Sequence, residues 1–170
     1  MDKADGRTIF IGAGANMAHP NYSSPRETLV AALLELGRQV KVLRHSSWYR
    51  TAPVPVSDQP WYVNIVAEVA TDLSADDLLQ TLHAIEDLFG RVRTVPNAPR
   101  LIDLDLLDYR GEIAAPALGR ATLPHPRMAD RAFVLRPLAD LAPDWRHPIS
   151  GKPIQSLLAV LPPEQEAHRF

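Results

Sequence analysis

Two aspartates, Asp103 and Asp105, alternate with leucine in Leu101–Tyr109, directly after a segment carrying Arg91, Arg93 and Arg100. Side chains on an extended strand alternate faces, so both acids point one way while Ile102, Leu104 and Leu106 point the other. Their Cα atoms then lie ~6.5–7 Å apart, at ~3.3 Å rise per residue. Carboxylates at that spacing converge on one hard cation, or on a pair of Mg²⁺ ions ~3.5–4 Å apart. Guanidinium forks suit phosphate oxygens and stay charged. Acids, arginines and a loop between them describe a polyphosphate site. A solvated edge strand gives the same alternation. Against that reading, Leu101 and Leu107 share the acids' parity, so this face is apolar at both ends and acidic only in the middle.

The whole chain bounds what can carry such a site. Its 170 residues, 46% hydrophobic and 22% charged, fit one domain with a single good core, 1–170, with 162–170 expected to fray. A net charge of −2 gives no pull towards nucleic acid or anionic membrane. Without cysteine there are no disulfides, thiol nucleophiles or Cys-ligated zinc. No secretory signal and no membrane-spanning run are visible, so a cytoplasmic location is expected.

Thr8–Ala13 reads as a buried strand ending in a turn at Gly12–Asn16. Dinucleotide and P-loop fingerprints both fail there: Met17 stands where the third glycine belongs, and no Gly-Lys-Ser/Thr follows. Ser24-Pro25-Arg26-Glu27 is a capping box that opens a helix running to about Leu36. Gln39–Tyr49 reads as one long strand, Arg50–Trp61 as an exposed proline-rich loop, and Tyr62–Thr71 as a strand with Val63, Ile65, Ala67 and Val69 facing the core. Ser74 caps a second helix with a stripe of Leu78, Leu82, Ile85 and Phe89, stopped by Gly90. Helices are expected near Met128–Leu135 and Ile154–Leu161, with a short helical turn at Pro137–Leu141.

The order β-α-β-β-α-β with a helical C-terminal extension predicts an α+β, ferredoxin-like antiparallel sheet with two helices on one face. The open face would collect Tyr62, Asn64, Asp103 and Asp105 beneath three loops. An RNA-recognition module shares this order, but acids on a central strand would repel phosphate without a metal. A ligand-sensing domain of the same topology is a further alternative.

The motifs Gly14-Ala-Asn16, Ser47-Trp-Tyr-Arg-Thr51, Asp58-Gln-Pro-Trp-Tyr62 with Asn64, Gly90-Arg-Val-Arg93, Pro99-Arg-Leu-Ile-Asp-Leu-Asp105 and Pro124-His-Pro-Arg127 with Arg131-Ala-Phe133 occur in one order. In that order the sequence resembles the 6-hydroxymethyl-7,8-dihydropterin pyrophosphokinase family of folate biosynthesis, from about Phe10 to Trp145. The resemblance implies transfer of pyrophosphate from ATP to the pterin hydroxymethyl group, with release of AMP. It implies two Mg²⁺ ions on Asp103 and Asp105, with Arg91, Arg100 and Asp105 as catalytic residues. It implies ATP contacts from Arg91, Arg93, Arg100, Arg120, Thr122, His125 and Arg131. Tyr62 and Phe133 would sandwich the pterin, Asn64 would read its edge, and Gly14, Thr51, Pro53 and Val54 would complete its pocket. The implied partners are these two small molecules, with no nucleic acid or membrane, and the expected state is a monomer. Two departures stand out. Ala15 replaces a common serine, and Pro96-Asn-Ala-Pro-Arg100 lacks the tryptophan that relatives carry in this loop.

Overall fold

Ile9, Ile11 and Ala13 alternate with Phe10, Gly12 and Gly14 along β1 (Ile9–Ala15), and the two sets enter different layers. The computed structural model describes residues 8–91, 96–97 and 99–170. β1 pairs antiparallel with β4 (Tyr62–Ala70) on one side and with β5 (Asp103–Tyr109) on the other. Beyond β4 lie β2 (Lys41–His45) and β3 (Tyr49–Thr51), and β3 in turn pairs with β6 (Ala167–Arg169). The sheet is therefore antiparallel in the order β5-β1-β4-β3-β6, with β2 beside β4. The acid-bearing strand is an outer strand, not the central one expected.

One sheet face is covered by α1 (Pro25–Leu36) and α2 (Ala75–Leu88). Leu29 and Leu36 of the first helix and Leu78, Leu82 and Ile85 of the second pack with Ile9, Ile11, Ile65 and Leu104. Ser24 and Ser74 cap these helices as expected, each accepting from a backbone N–H three residues on. At the end of α2, Gly90 adopts φ +80°, and the Arg91 N–H reaches back to the Glu86 carbonyl at 3.1 Å. That left-handed C-terminal turn is one glycine favours, and it brings Arg91 to Asp103 on β5.

The opposite face is not open along its whole length. α3 (Ala132–Leu141), after a 3₁₀ turn at Met128–Asp130, and α4 (Ile154–Ala159) lay Leu135, Leu138, Leu141, Ile154 and Leu157 over Phe10, Val66 and Leu107. The sheet thus carries helices on both faces. Pro137 sits inside α3 and does not divide it, as the sequence suggested it would. Loss of one amide bond is outweighed by the buried flank of Val134, Leu135, Leu138 and Leu141. Trp145 closes this second core: its indole Nε1 donates to Asp108 at 2.8 Å, and both residues are buried.

Three further expectations need correction. Gly12–Ala15 continues β1 instead of turning. Gln39–Tyr49 is two strands, because Ser46 interrupts the ladder; its Oγ accepts from the Val66 N–H at 3.0 Å and its own N–H bonds the Val66 carbonyl at 2.8 Å. The tail at 162–170 is not frayed at its end, since β6 pairs Ala167, His168 and Arg169 with Thr51, Arg50 and Tyr49. No helix of the described residues is long and apolar enough to cross a membrane.

Trp145→Phe tests the second core. The six-membered ring is kept but the pyrrole is lost, so a buried Asp108 oxygen loses its donor, a small void opens, and urea unfolding should show a loss of ~2–4 kcal/mol. An unchanged midpoint would show that this bond does not hold the layer.

Candidate active site

The register of β1 assembles the site. Gly14 lies between Asn64 on β4 and Asp103 on β5, and Gly12 lies opposite Asp105. These positions share the sheet face that α3 and α4 cover only in part. Gly14 must lack a side chain, because a Cβ there would overlap Asn64 Oδ1. The Asn64 carboxamide is fixed from behind: its Nδ2 donates to Thr51 Oγ1 at 2.6 Å, and both residues are buried. Asn64 thereby presents Oδ1 across the glycine.

Charge is concentrated on the next strand. Asp103 accepts from Arg91 through Oδ1 at 2.6 Å and from Arg100 through Oδ2 at 2.5 Å. The same Arg91 nitrogen also bonds Glu86, which is 1% exposed and accepts from the Leu104 N–H at 2.7 Å. Burial opposes the Arg91 charge, but Asp103 and Glu86 outweigh it and hold its pKa above the usual guanidinium value.

Asp105 is placed differently. Its nearest ion-pair neighbour among the described residues is His125, with Nε2 at 3.8 Å. Burial, reinforced by the negative charges of Asp103 and Glu86, pushes the Asp105 carboxyl up to about 7. Burial and the nearby Arg131 push His125 down to about 4. The 3.8 Å approach is therefore no ion pair at neutral pH. His125 is neutral there, and its Nδ1 accepts from the Arg127 N–H at 3.2 Å, which leaves Nε2 as an uncharged donor.

Two cavities open on either side of Asp105, and it lines both. The first is walled by Gly14, Pro53, Val54, Tyr62, Asn64 and Phe133, with Arg100, Asp103 and Arg131 at its charged end. The second is lined by Arg91, Arg120, Thr122 and His125. Every site residue expected from the sequence lies in one or the other except two. Thr51 stands behind Asn64, and Arg93 lies outside the described residues. Arg120 is already engaged, at 2.9 Å from Asp76, although it remains exposed.

Three residues outside the expected site hold it together. Buried Asn16 accepts from the Arg100 N–H at 2.8 Å and donates to Gln59 Oε1 at 3.2 Å and the Pro60 carbonyl at 3.1 Å. Gln59 in turn donates to the Asn97 carbonyl at 2.7 Å. The loops after β1, after β3 and before β5 are thereby tied to one another. Asn16 and Gln59 stand in two of the motifs that carry the family resemblance, but nothing local marks their pairing, since Asn16 and Arg100 are 84 residues apart. Glu86 did carry a signal. It stands four residues after Leu82 on α2, on the flank of a buried stripe, where a carboxylate needs a partner.

With this arrangement established, comparison with known proteins is decisive. Residues 10–143 match the model of the 7,8-dihydro-6-hydroxymethylpterin-pyrophosphokinase family. The chain belongs to this family. A 2-amino-4-hydroxy-6-hydroxymethyldihydropteridine pyrophosphokinase of Pseudomonas aeruginosa is 41% identical over 156 residues, 91% of each chain. The protein of that name from Synechocystis sp. is 42% identical over 148 residues, covering 87% of this chain and 73% of its own. A crystal structure of a triple-mutant HPPK-DHPS from Plasmodium falciparum superposes with a TM-score of 0.66 at 13% identity, over 89% of this chain and 41% of that one, and shows a shared fold.

The Asp105 environment has a measurable consequence. The folded protein keeps this proton between the ordinary carboxylate value of 3.8 and about 7, where the unfolded chain has released it. Stability therefore falls as pH rises through that window. The Asp105 side chain retains 29% of its exposure, so solvent softens the effect. In metal-free buffer, Asp105→Asn should gain ~1–2 kcal/mol on the wild type between pH 4.5 and 7.5. A difference that stays constant with pH would contradict this.

Proposed function

We propose that the chain transfers pyrophosphate from ATP to the hydroxymethyl group of 6-hydroxymethyl-7,8-dihydropterin and releases AMP, in folate biosynthesis. Family membership carries the reaction. The observation that carries its location is the meeting of two cavities at Asp105, one walled by Tyr62, Asn64 and Phe133 and the other by arginine, histidine and threonine. In this reading the pterin occupies the first, between Tyr62 and Phe133, with the Asn64 carboxamide against its edge. ATP occupies the second, and its phosphates reach the Asp103–Asp105 strand. The strand order and the pair of helices on one face support a ferredoxin-like description, with α3, α4 and β6 as its extension.

The donor set fits Mg²⁺. Asp103 and Asp105 offer hard oxygens on one strand face, and two protein carboxylates with phosphate oxygens making up the rest is a set this ion takes. Held there by Asp103 and Asp105, Mg²⁺ would offset polyphosphate charge and lower the pKa of the attacking hydroxyl. The chain's own groups do the remaining work. Arg91 and Arg100 flank Asp103 and neutralise the polyphosphate as it approaches. His125 donates through Nε2 without adding charge, and Arg131 faces the same strand from the start of α3. The pterin hydroxyl oxygen attacks the β-phosphorus in line, its proton passes to solvent, and the bond from that phosphorus to the AMP oxygen breaks. Little covalent help is needed, and positioning with charge stabilisation suffices. No dedicated general base is assigned. Both cavities are built from one chain, which suits a monomer, and a cytoplasmic location suits two soluble substrates.

The direct test is nucleotide analysis with ATP and Mg²⁺ in the presence and absence of the hydroxymethylpterin. AMP should accumulate only with the pterin, equimolar with its diphosphate; ADP, or turnover independent of pterin, would overturn the reading. Asp105→Asn should lower turnover by ~100-fold or more while ATP binding weakens much less. Near-normal turnover in that variant would remove Asp105 from the chemistry.

A further inference from the structure

The N-terminus of α3 carries two residues of the proposed site, Arg131 at its cap position and Phe133 in its first turn. Serine, threonine, aspartate or asparagine usually occupies the cap, where the side chain satisfies the unpaired N–H groups of the first turn. Arginine has no acceptor, and no side-chain cap bond comes from Arg131. The missing acceptor arrives from the far end of the chain. Gln165 Oε1 accepts from the Ala132 N–H at 2.9 Å, and Gln165 Nε2 donates to the Asp130 carbonyl at 2.9 Å.

One carboxamide therefore grips the peptide unit on each side of Arg131. Its two ends match the two backbone groups in polarity, so it fixes both position and orientation. Arg131 in turn places its guanidinium 5.3 Å from the centre of the Phe133 ring, and both side chains line the first cavity.

Gln165 is itself anchored. The Ala52 N–H donates to the Glu166 carbonyl at 3.0 Å, and β6 then pairs with β3 as far as Arg169. Arg169 reaches Asp140 on α3 at 2.5 Å, and that carboxylate also accepts from the Tyr49 hydroxyl at 3.0 Å. The same β3 ends in Thr51, which holds Asn64. The tail thus joins the two walls that face each other across the first cavity: α3 with Phe133, and β3 with the Thr51–Asn64 pair.

We propose that Gln165 is a positioning residue for this reaction, a cap supplied from the turn before β6 that sets Arg131 and Phe133 against Asn64 and Asp105. The inference rests on the pterin lying in the first cavity and ATP in the second. It explains how an arginine can occupy a helix cap: the capping function has been moved 34 positions along the sequence, from 131 to 165.

The test is steady-state kinetics on the full chain with Gln165→Ala, Gln165→Glu and a control, Ile154→Val. Ile154 is buried in the α3–α4 layer and lines neither cavity. Loss of a cap and loss of one buried methylene both lower Tm by about 2–5 °C in a chain of this size, so the control matches the stability cost. At a temperature well below either Tm, Gln165→Ala should raise the pterin KM and lower kcat, with kcat/KM for pterin down about tenfold. The ATP KM should rise less, about threefold, because Arg131 is the one expected nucleotide contact that Gln165 sets, while Arg91, Arg120, Thr122 and His125 line the second cavity. Gln165→Glu keeps the acceptor for Ala132 and loses the donor to Asp130, so it should fall between Gln165→Ala and wild type. Ile154→Val should match wild type in all three constants.

If Gln165→Ala loses stability while its pterin constants stay with those of Ile154→Val, the residue is only structural and the proposal fails. Equal effects on both substrates would also overturn it. A wild type that releases no AMP with pterin would instead sink the functional reading beneath it, so the two failures are distinct.

Discussion

The structure turns on the grip of two guanidiniums on one carboxylate. Asp103 and Asp105 sit on the same face of a strand, beside an apolar layer, and two like charges there are unfavourable alone. Arg91 and Arg100 each take one oxygen of Asp103, and Glu86 braces Arg91 from beneath while tying down the Leu104 amide. Arg91 and Arg100 are consequently both pinned to the strand they serve. Asp105 has no such partner among the described residues, and burial with the negative charges of Asp103 and Glu86 pushes its carboxyl up to about 7, an imbalance within the pair. In a pyrophosphokinase, that imbalance is what a divalent ion and a polyphosphate would resolve.

Division of the sheet's second face follows from the same strands. Where β1, β4 and β5 present Phe10, Val66 and Leu107, the face is apolar and α3 and α4 cover it. Two residues further along each strand it presents Gly12, Asn64 and Asp105, and the cover stops. The boundary between packing and binding is thus written into the alternation of three neighbouring strands. The last helical layer does two jobs, completing the core with Leu135 and Leu138 and delivering Arg131 and Phe133 to the cavity.

Much of this was legible from local pattern. The parity of Asp103 and Asp105, the capping serines Ser24 and Ser74 and the stop at Gly90 follow from strand and helix geometry, and the structure has them as read. What escaped depends on partners remote in sequence. Ser46 splits a strand because its hydroxyl meets Val66, and residues 167–169 become a strand because β3 has a free edge beside them. Pro137 reads locally as a helix breaker, yet a buried flank carries the helix through it. Within the site, residues with a chemical signature were visible; those that orient them were not. Asn16, Gln59 and Gln165 are neutral amides whose roles appear only when chain segments more than 30 residues apart are brought together.

The central claim is that the Asp103–Asp105 pair is the metal end of the nucleotide site. The most direct measurement is anomalous scattering from crystals grown with Mn²⁺, the pterin and an ATP analogue whose α–β bridge cannot be cleaved. Manganese should be found in contact with both carboxylates and with analogue phosphate oxygens, with the pterin hydroxyl facing the β-phosphorus. Manganese bound elsewhere, with Asp103 and Asp105 unliganded, would contradict the claim.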